Sequence, residues 1–132
     1  MAYTERENLM QNKTAVSGIV ATTPRHVVNQ KGLPITSFRL ASNFEVMGED
    51  NTPKSITNWF TVVSLKSLAI NVATSISKGD RVIVVGTMLM RDWDNGDAMG
   101  TTVEIEADSV GHDLSFGTSV FVRNTYEKEQ ND

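Results

Sequence analysis

The chain has 132 residues, 39% of them hydrophobic, and no cysteine, which predicts one globular domain with a modest core and excludes disulfide frameworks and thiolate zinc sites. A net charge of −4 and a pI near 5.1 argue against a uniformly basic nucleic-acid binder. The apolar runs are too short to cross a membrane, and the N-terminus "MAYTERENLMQNK" carries charge where a signal peptide needs an apolar centre, so the expected location is the cytoplasm.

In chain order, residues 1–13 are polar and read as a flexible segment, and residues 14–124 as the folded domain. "TAVSGIVAT" (14–22) is strand-like, with Gly18 marking a bend or bulge. "ITSFRLASNF" (35–44) is a second strand with Phe38 and Leu40 on one face and Arg39 on the other. Residues 45–57 read as a polar loop, and "NWFTVVSL" (58–65) as a third strand. There Trp59, Thr61, Val63 and Leu65 point one way, and Phe60 and Val62 the other, forming an apolar side that a single helix does not fully cover.

Leu68, Ala69, Val72, Ala73 and Ile76 fall at helical spacing, with Ser64 or Ser67 as cap, Lys78 complementing the dipole and Gly79 as the stop. "RVIVVGTMLMR" (81–91) and "TTVEIEADSV" (101–110) flank Asn95-Gly96, the strongest two-residue hairpin signal, so they pair through a tight turn. Residues 118–123 could form one more short strand, and 125–132 a polar tail. Three strands, a helix and a hairpin, in that order, fit an all-β OB-fold: a five-stranded Greek-key barrel with one helix between strands 3 and 4, a fold that often binds oligonucleotides or oligosaccharides.

Enzymatic chemistry is sparse. The acid-rich "RDWDNGD" (91–97) fails as a calcium loop, because Gly96 stands at the fifth position from Asp92 and Asp97 at the sixth, where glycine belongs. No phosphate-binding glycine loop or nucleophile elbow occurs, and His26 and His112 stand alone. No catalytic residue, metal or cofactor is therefore expected, and a metal-dependent nuclease using Asp92, Asp94 and Glu104 ranks as the weakest reading.

Charge is unevenly placed. Residues 16–95 hold eight Lys and Arg against six Asp and Glu, whereas residues 96–132 hold two against eight. The strand faces that carry Trp59 and Trp93 also carry Arg39 and Arg91, and aromatic platforms on a basic groove are the means by which sequence-tolerant proteins hold single strands. From alternation alone Trp59 could equally belong to the core, whereas Trp93, beside a turn and between two aspartates, is hard to bury. The alternating Glu104, Glu106 and Asp108 read as a solvated side turned away from any nucleic acid.

The segments "GIVATTPRHVV", "GLPITSFRLAS", "TNWFTVVSLKSLAINVATSISKGDRVIVVGTM", "RDWDNG" and "TTVEIEADSVGHDLSFGTSVF" together resemble the bacterial single-stranded DNA-binding proteins, most closely the actinobacterial type, over residues 17–123. The resemblance implies an OB-fold, a homotetramer built as a dimer of dimers, and sequence-independent binding of single-stranded DNA in replication, recombination and repair. It implies stacking by Trp59 and Trp93, and a DNA path on or beside Arg39, Lys78 and Arg91, which Arg25, Lys66 and Arg81 would extend. Val46 stands where a further stacking aromatic is expected, with Phe44 two residues earlier as the candidate substitute, and Leu65 replaces another aromatic. The chain ends "YEKEQND", without the Gly-rich tail and acidic tip of full-length relatives, so recruitment of repair enzymes through such a tip is not expected. RNA binding or a replisome accessory role stays open as the alternative.

Overall fold

The computed structural model describes residues 12–125; the expected N-terminal segment up to residue 11 and the tail from residue 126 lie outside the described residues. Six strands and one helix follow in order: β1 (Lys13–Val20), β2 (Arg25–Val28), β3 (Pro34–Met47), β4 (Pro53–Leu65), α1 (Lys66–Ser75), β5 (Arg81–Asp94) and β6 (Met99–His112). They hydrogen-bond in the order β1-β5-β6-β4-β3-β2, and β1 also pairs with β3, which closes β1, β3, β4, β5 and β6 into a barrel. β2 is a four-residue addition to β3, and α1 falls between the third and fourth barrel strands. This is the expected OB-fold.

Closure depends on Gly18. There β1 leaves β5 and crosses to β3, pairing Ile19 with Ala41 and Val20 with Leu40. A Cβ at Gly18 would collide with the Ala41 carbonyl, so only glycine lets the two backbones approach. Inside lie Val20, Phe38, Leu40, Phe60, Val62, Val82, Val84 and Ile105. Phe60 and Val62 are thus barrel interior, not the uncovered apolar side expected of them: the inward face of a closed barrel is covered by the strands opposite.

The helix closes one mouth of the barrel with Ala69, Val72 and the capping residue Ile76. Two buried hydroxyls fix it. Thr36 Oγ1 donates to the Ala69 carbonyl at 2.7 Å, and Ser64 Oγ donates to the Thr36 carbonyl at 2.8 Å. Ser64 is therefore committed to the sheet, Ser67 lies within the first turn, and the N-cap is Leu65, with no side-chain cap. Lys78 and Gly79 belong to a separate turn, residues 77–80, in which the Ser77 N–H bonds the Asp80 carboxylate; the helix has already ended at Ser75.

Both long hairpins outrun their expected strands. The predicted loop 45–57 is mostly strand, because the β3–β4 ladder continues in register to Met47 opposite Pro53. Its turn is tied by the Gly48 N–H on the Thr52 carbonyl, and hydrogen bonds from Thr52 hold the Asp50 carboxyl below its ordinary range. The β5–β6 hairpin is present, but its turn is not the two-residue type. Gly96 has φ +93 while Asn95 does not share a positive φ, and a four-residue loop closes with the Asn95 N–H on the Ala98 carbonyl at 3.0 Å. Asp94 and Asn95 drive this choice, their side-chain oxygens accepting from the N–H groups of Gly96, Asp97 and Ala98. The two hairpins share only a short seam: β4 and β6 run parallel and pair at three positions, Thr61 to Val63 against Glu104 to Glu106.

Residues 118–125 form no strand within the chain, contrary to the sequence expectation. Val120, Phe121 and Val122 are nonetheless among the most exposed side chains, Phe121 at 80%.

Candidate nucleic-acid interface

Residues opposite one another in a sheet share a face, so the ladders fix what the outside of the barrel displays. Arg39 lies opposite Thr61, Thr61 beside Glu104, and Glu104 opposite Leu89. This outer row runs from β3 through β4 and β6 to β5. Two residues towards the hairpin tips stand Trp59 on β4, opposite Ala41, and Arg91 on β5, opposite Thr102. Two further along β5 stands Trp93, opposite Gly100. Trp59 is 50% exposed and Trp93 45%, so neither is a core residue.

Each aromatic is held. The Arg39 guanidinium sits 5.5 Å from the Trp59 ring centroid and donates through Nη1 to Thr61 Oγ1 at 3.0 Å, which places a cation beside the indole. Trp93 rests on a glycine: a Cβ at Gly100 would lie 2.7 Å from its Cζ2 and 3.0 Å from its Cε2. The indole thus lies against bare backbone, beside an open depression of about 460 Å³ lined by Asp92, Trp93, Asp94, Met99, Gly100 and Thr101. Gly100→Ala is expected to lift the ring off this seat. Single-strand affinity should fall by about 1 kcal/mol, part of a full stacking contribution, with an altered Trp93 emission and no further loss once Trp93 is already alanine. Fluorescence titration of the single and double variants measures this.

The remaining predicted residues are spread more widely. Phe44 is exposed but pairs with Ile56 on the face that carries Phe38 and Leu40, so it lies on the opposite side of the β3–β4 ribbon from Trp59. Arg81 opens β5, and roughly 35–40 Å of strand separates it from Trp93. Its guanidinium sits 4.0 Å from the Phe116 ring centroid, where it anchors the start of the C-terminal segment. That end holds a larger, polar depression of about 580 Å³, with Asp80, Arg81 and His112 in its wall, but it shows neither tryptophan. Lys78 lies in the turn before β5, Lys66 at the first position of α1 and Arg25 at the start of β2; all three are exposed, and among the described residues none forms an ion pair.

Glu104 corrects the expected separation of charge. It shares the outer face with Leu89, Arg91 and Trp93, and its Oε1 accepts from Arg91 Nε at 2.9 Å. Asp108 sits at a register shift in β6 and pairs with Lys13 at 2.8 Å. The hairpin acids serve the turn: Asp92 accepts from the Thr101 hydroxyl and Asp94 from the Gly96 N–H. Among the described residues no group of three or more His, Asp or Glu could hold a metal ion.

The sequence model of the single-strand binding protein family matches residues 11–113. The chain belongs to this family. Among its relatives in the single-strand binding family, "Single-stranded DNA-binding protein 2" of Tropheryma whipplei (strain Twist) is 49% identical over 119 residues, covering 88% of this chain and 78% of that protein. "Single-stranded DNA-binding protein 2" of Streptomyces avermitilis is 39% identical over 110 residues, covering 82% of this chain and 69% of that protein. The small single-stranded DNA-binding protein of Streptomyces coelicolor, solved by crystallography, superposes with a TM-score of 0.73 at 32% identity, covering 83% of this chain and all of that one. The second such protein of Mycobacterium smegmatis superposes with a TM-score of 0.66 at 27% identity, covering 86% of this chain and all of that one. The resemblance read from the sequence is thereby established at the level of family and fold.

Proposed function

We propose that this protein binds single-stranded DNA without sequence preference, stacking bases on Trp59 and Trp93 and pairing phosphates with Arg39 and Arg91. The observation that carries this reading is the presence of two half-exposed tryptophans on one outer face, each with an arginine beside it on that face or along its strand. Such a face offers planar contacts that every base satisfies and charges that follow the backbone, with none of the edge-reading geometry that selects a sequence. Arg25, Lys66 and Lys78 extend the path around the barrel. Phe44 contributes from the other side of its ribbon, to a strand that wraps over the hairpin edge. The names of the relatives and of the solved structures support DNA as the ligand.

The protein acts as a non-enzymatic binder in replication, recombination and repair, in the bacterial cytoplasm; among the described residues no helix is long and apolar enough to cross a membrane. It works as a homotetramer. Support comes from Ile83 and Val85 exposed on the outside of β5, and from the unpaired apolar segment Val120, Phe121 and Val122. The deciding experiment follows tryptophan fluorescence during titration with oligo(dT), oligo(U) and duplex DNA, with and without magnesium. Strong quenching by oligo(dT), weak response to duplex and no cleavage products are expected. Preference for oligo(U) would reassign the ligand to RNA, and magnesium-dependent cleavage would make the protein a nuclease.

A further inference from the structure

Glu104 belongs to the central strand of the outer face, with Thr61 on one side and Leu89 on the other. Its side chain is mostly covered, 19% exposed, whereas that of its partner Arg91 is 66% exposed. Across β4, Thr61 holds Arg39. A carboxylate therefore lies between the two arginines of the face, and its strand supplies no basic residue there to offset it. The pair is one-sided: the carboxylate is covered while the guanidinium stays open to an incoming anion.

We propose that Glu104 is an internal competitor for the DNA: it neutralises Arg91 in the free protein and must give up that charge to a phosphate on binding. The inference rests on the face being the DNA interface, as argued above. A phosphate that approaches Arg91 meets a guanidinium whose Nε is already engaged, which removes one of the two edges suited to bidentate contact. The covered Glu104 side chain has little open space to move into, and its carboxylate stays beside the Arg91 guanidinium. Its charge stays a few ångströms from the incoming phosphate, and like charges that close repel appreciably in a partly desolvated setting. The carboxylate thus holds affinity below what the tryptophans and arginines alone would give, and shortens the lifetime of the complex.

The test is Glu104→Gln, which keeps shape and hydrogen-bonding oxygen and removes the charge. Oligo(dT) binding is measured across a salt series for the wild type, Glu104→Gln, Arg91→Ala, the double variant and Glu106→Gln. Glu106 lies on the same outer face, opposite Thr87, and forms no ion pair among the described residues, so it reports the effect of bulk charge. Glu104→Gln should bind about three- to tenfold more tightly, with the salt slope steeper by about 0.7, one further phosphate neutralised. The steepening should vanish in the Arg91→Ala background. Unchanged or weaker binding by Glu104→Gln overturns the proposal and makes the carboxylate a positioning group for Arg91. An equal gain from Glu106→Gln overturns it in favour of bulk charge. Trp59→Ala and Trp93→Ala are run alongside. If these and Arg91→Ala all leave affinity intact, the interface itself is misplaced; if they weaken binding while Glu104→Gln fails to strengthen it, only the competitor falls.

Discussion

Trp59→Ala and Trp93→Ala are each expected to weaken oligo(dT) binding by about 1–3 kcal/mol, or roughly five- to 150-fold, while the barrel stays folded. Both indoles stand on the outer face with half their surface in solvent, so truncation opens no cavity in the core formed by Leu40, Val62 and Ile105. These are the only tryptophans in the chain, so each variant leaves a single reporter. Quenching in Trp59→Ala describes Trp93 alone, and the reverse holds for the other variant. Anisotropy titrations with thermal melts measure both affinity and integrity. Loss of folding in Trp59→Ala together with unchanged affinity in Trp93→Ala would remove both stacking platforms from the account.

The second large effect concerns assembly. Val120→Asp combined with Phe121→Asp should reduce the sedimenting mass below that of a tetramer at micromolar concentration. Among the described residues the segment is largely uncovered: Phe121 is 80% exposed, with the Arg123 guanidinium 5.7 Å from its ring centroid, and Val120 is 89% exposed. Burying a side chain of this size contributes about 1.5–3 kcal/mol, and symmetry repeats the loss at every equivalent contact. The melting transition of the barrel should move little by comparison, because these residues lie outside its core. An unaltered mass would show that the segment does not hold protomers together.

Much of this fold could be read from residue order, and the exceptions have identifiable causes. Alternation placed Phe38, Leu40, Phe60 and Val62 on inward faces, and the helical phase of Ala69, Val72 and Ile76 was plain. Strand ends were hidden because Glu45, Lys54 and Ser55 are polar residues on a ribbon that projects into water, where no burial pattern forms. Asn95-Gly96 suggested a two-residue turn, but side-chain acceptors at Asp94 and Asn95 stabilise a longer loop. That shift moves the register by two and brings Gly100, rather than Ala98, under Trp93. Glu104 was misjudged for a different reason. A closed barrel has one interior and one exterior, so acids excluded from the core of β6 had to share the exterior with Trp93. The side on which Phe44 stands follows from the β3–β4 register, which composition does not encode.

The short seam between β4 and β6 has a mechanical consequence. Trp59 rides on the β3–β4 ribbon and Trp93 on the β5–β6 ribbon, and the paired positions that join those ribbons stop at Thr61 and Glu104. Beyond that point no backbone ladder fixes the span between the two indoles. Beyond the seam each indole is therefore carried by its own two-stranded ribbon. In the proposed stacking role, two separately carried rings would accept purines and pyrimidines of different width without a cost that depends on their order.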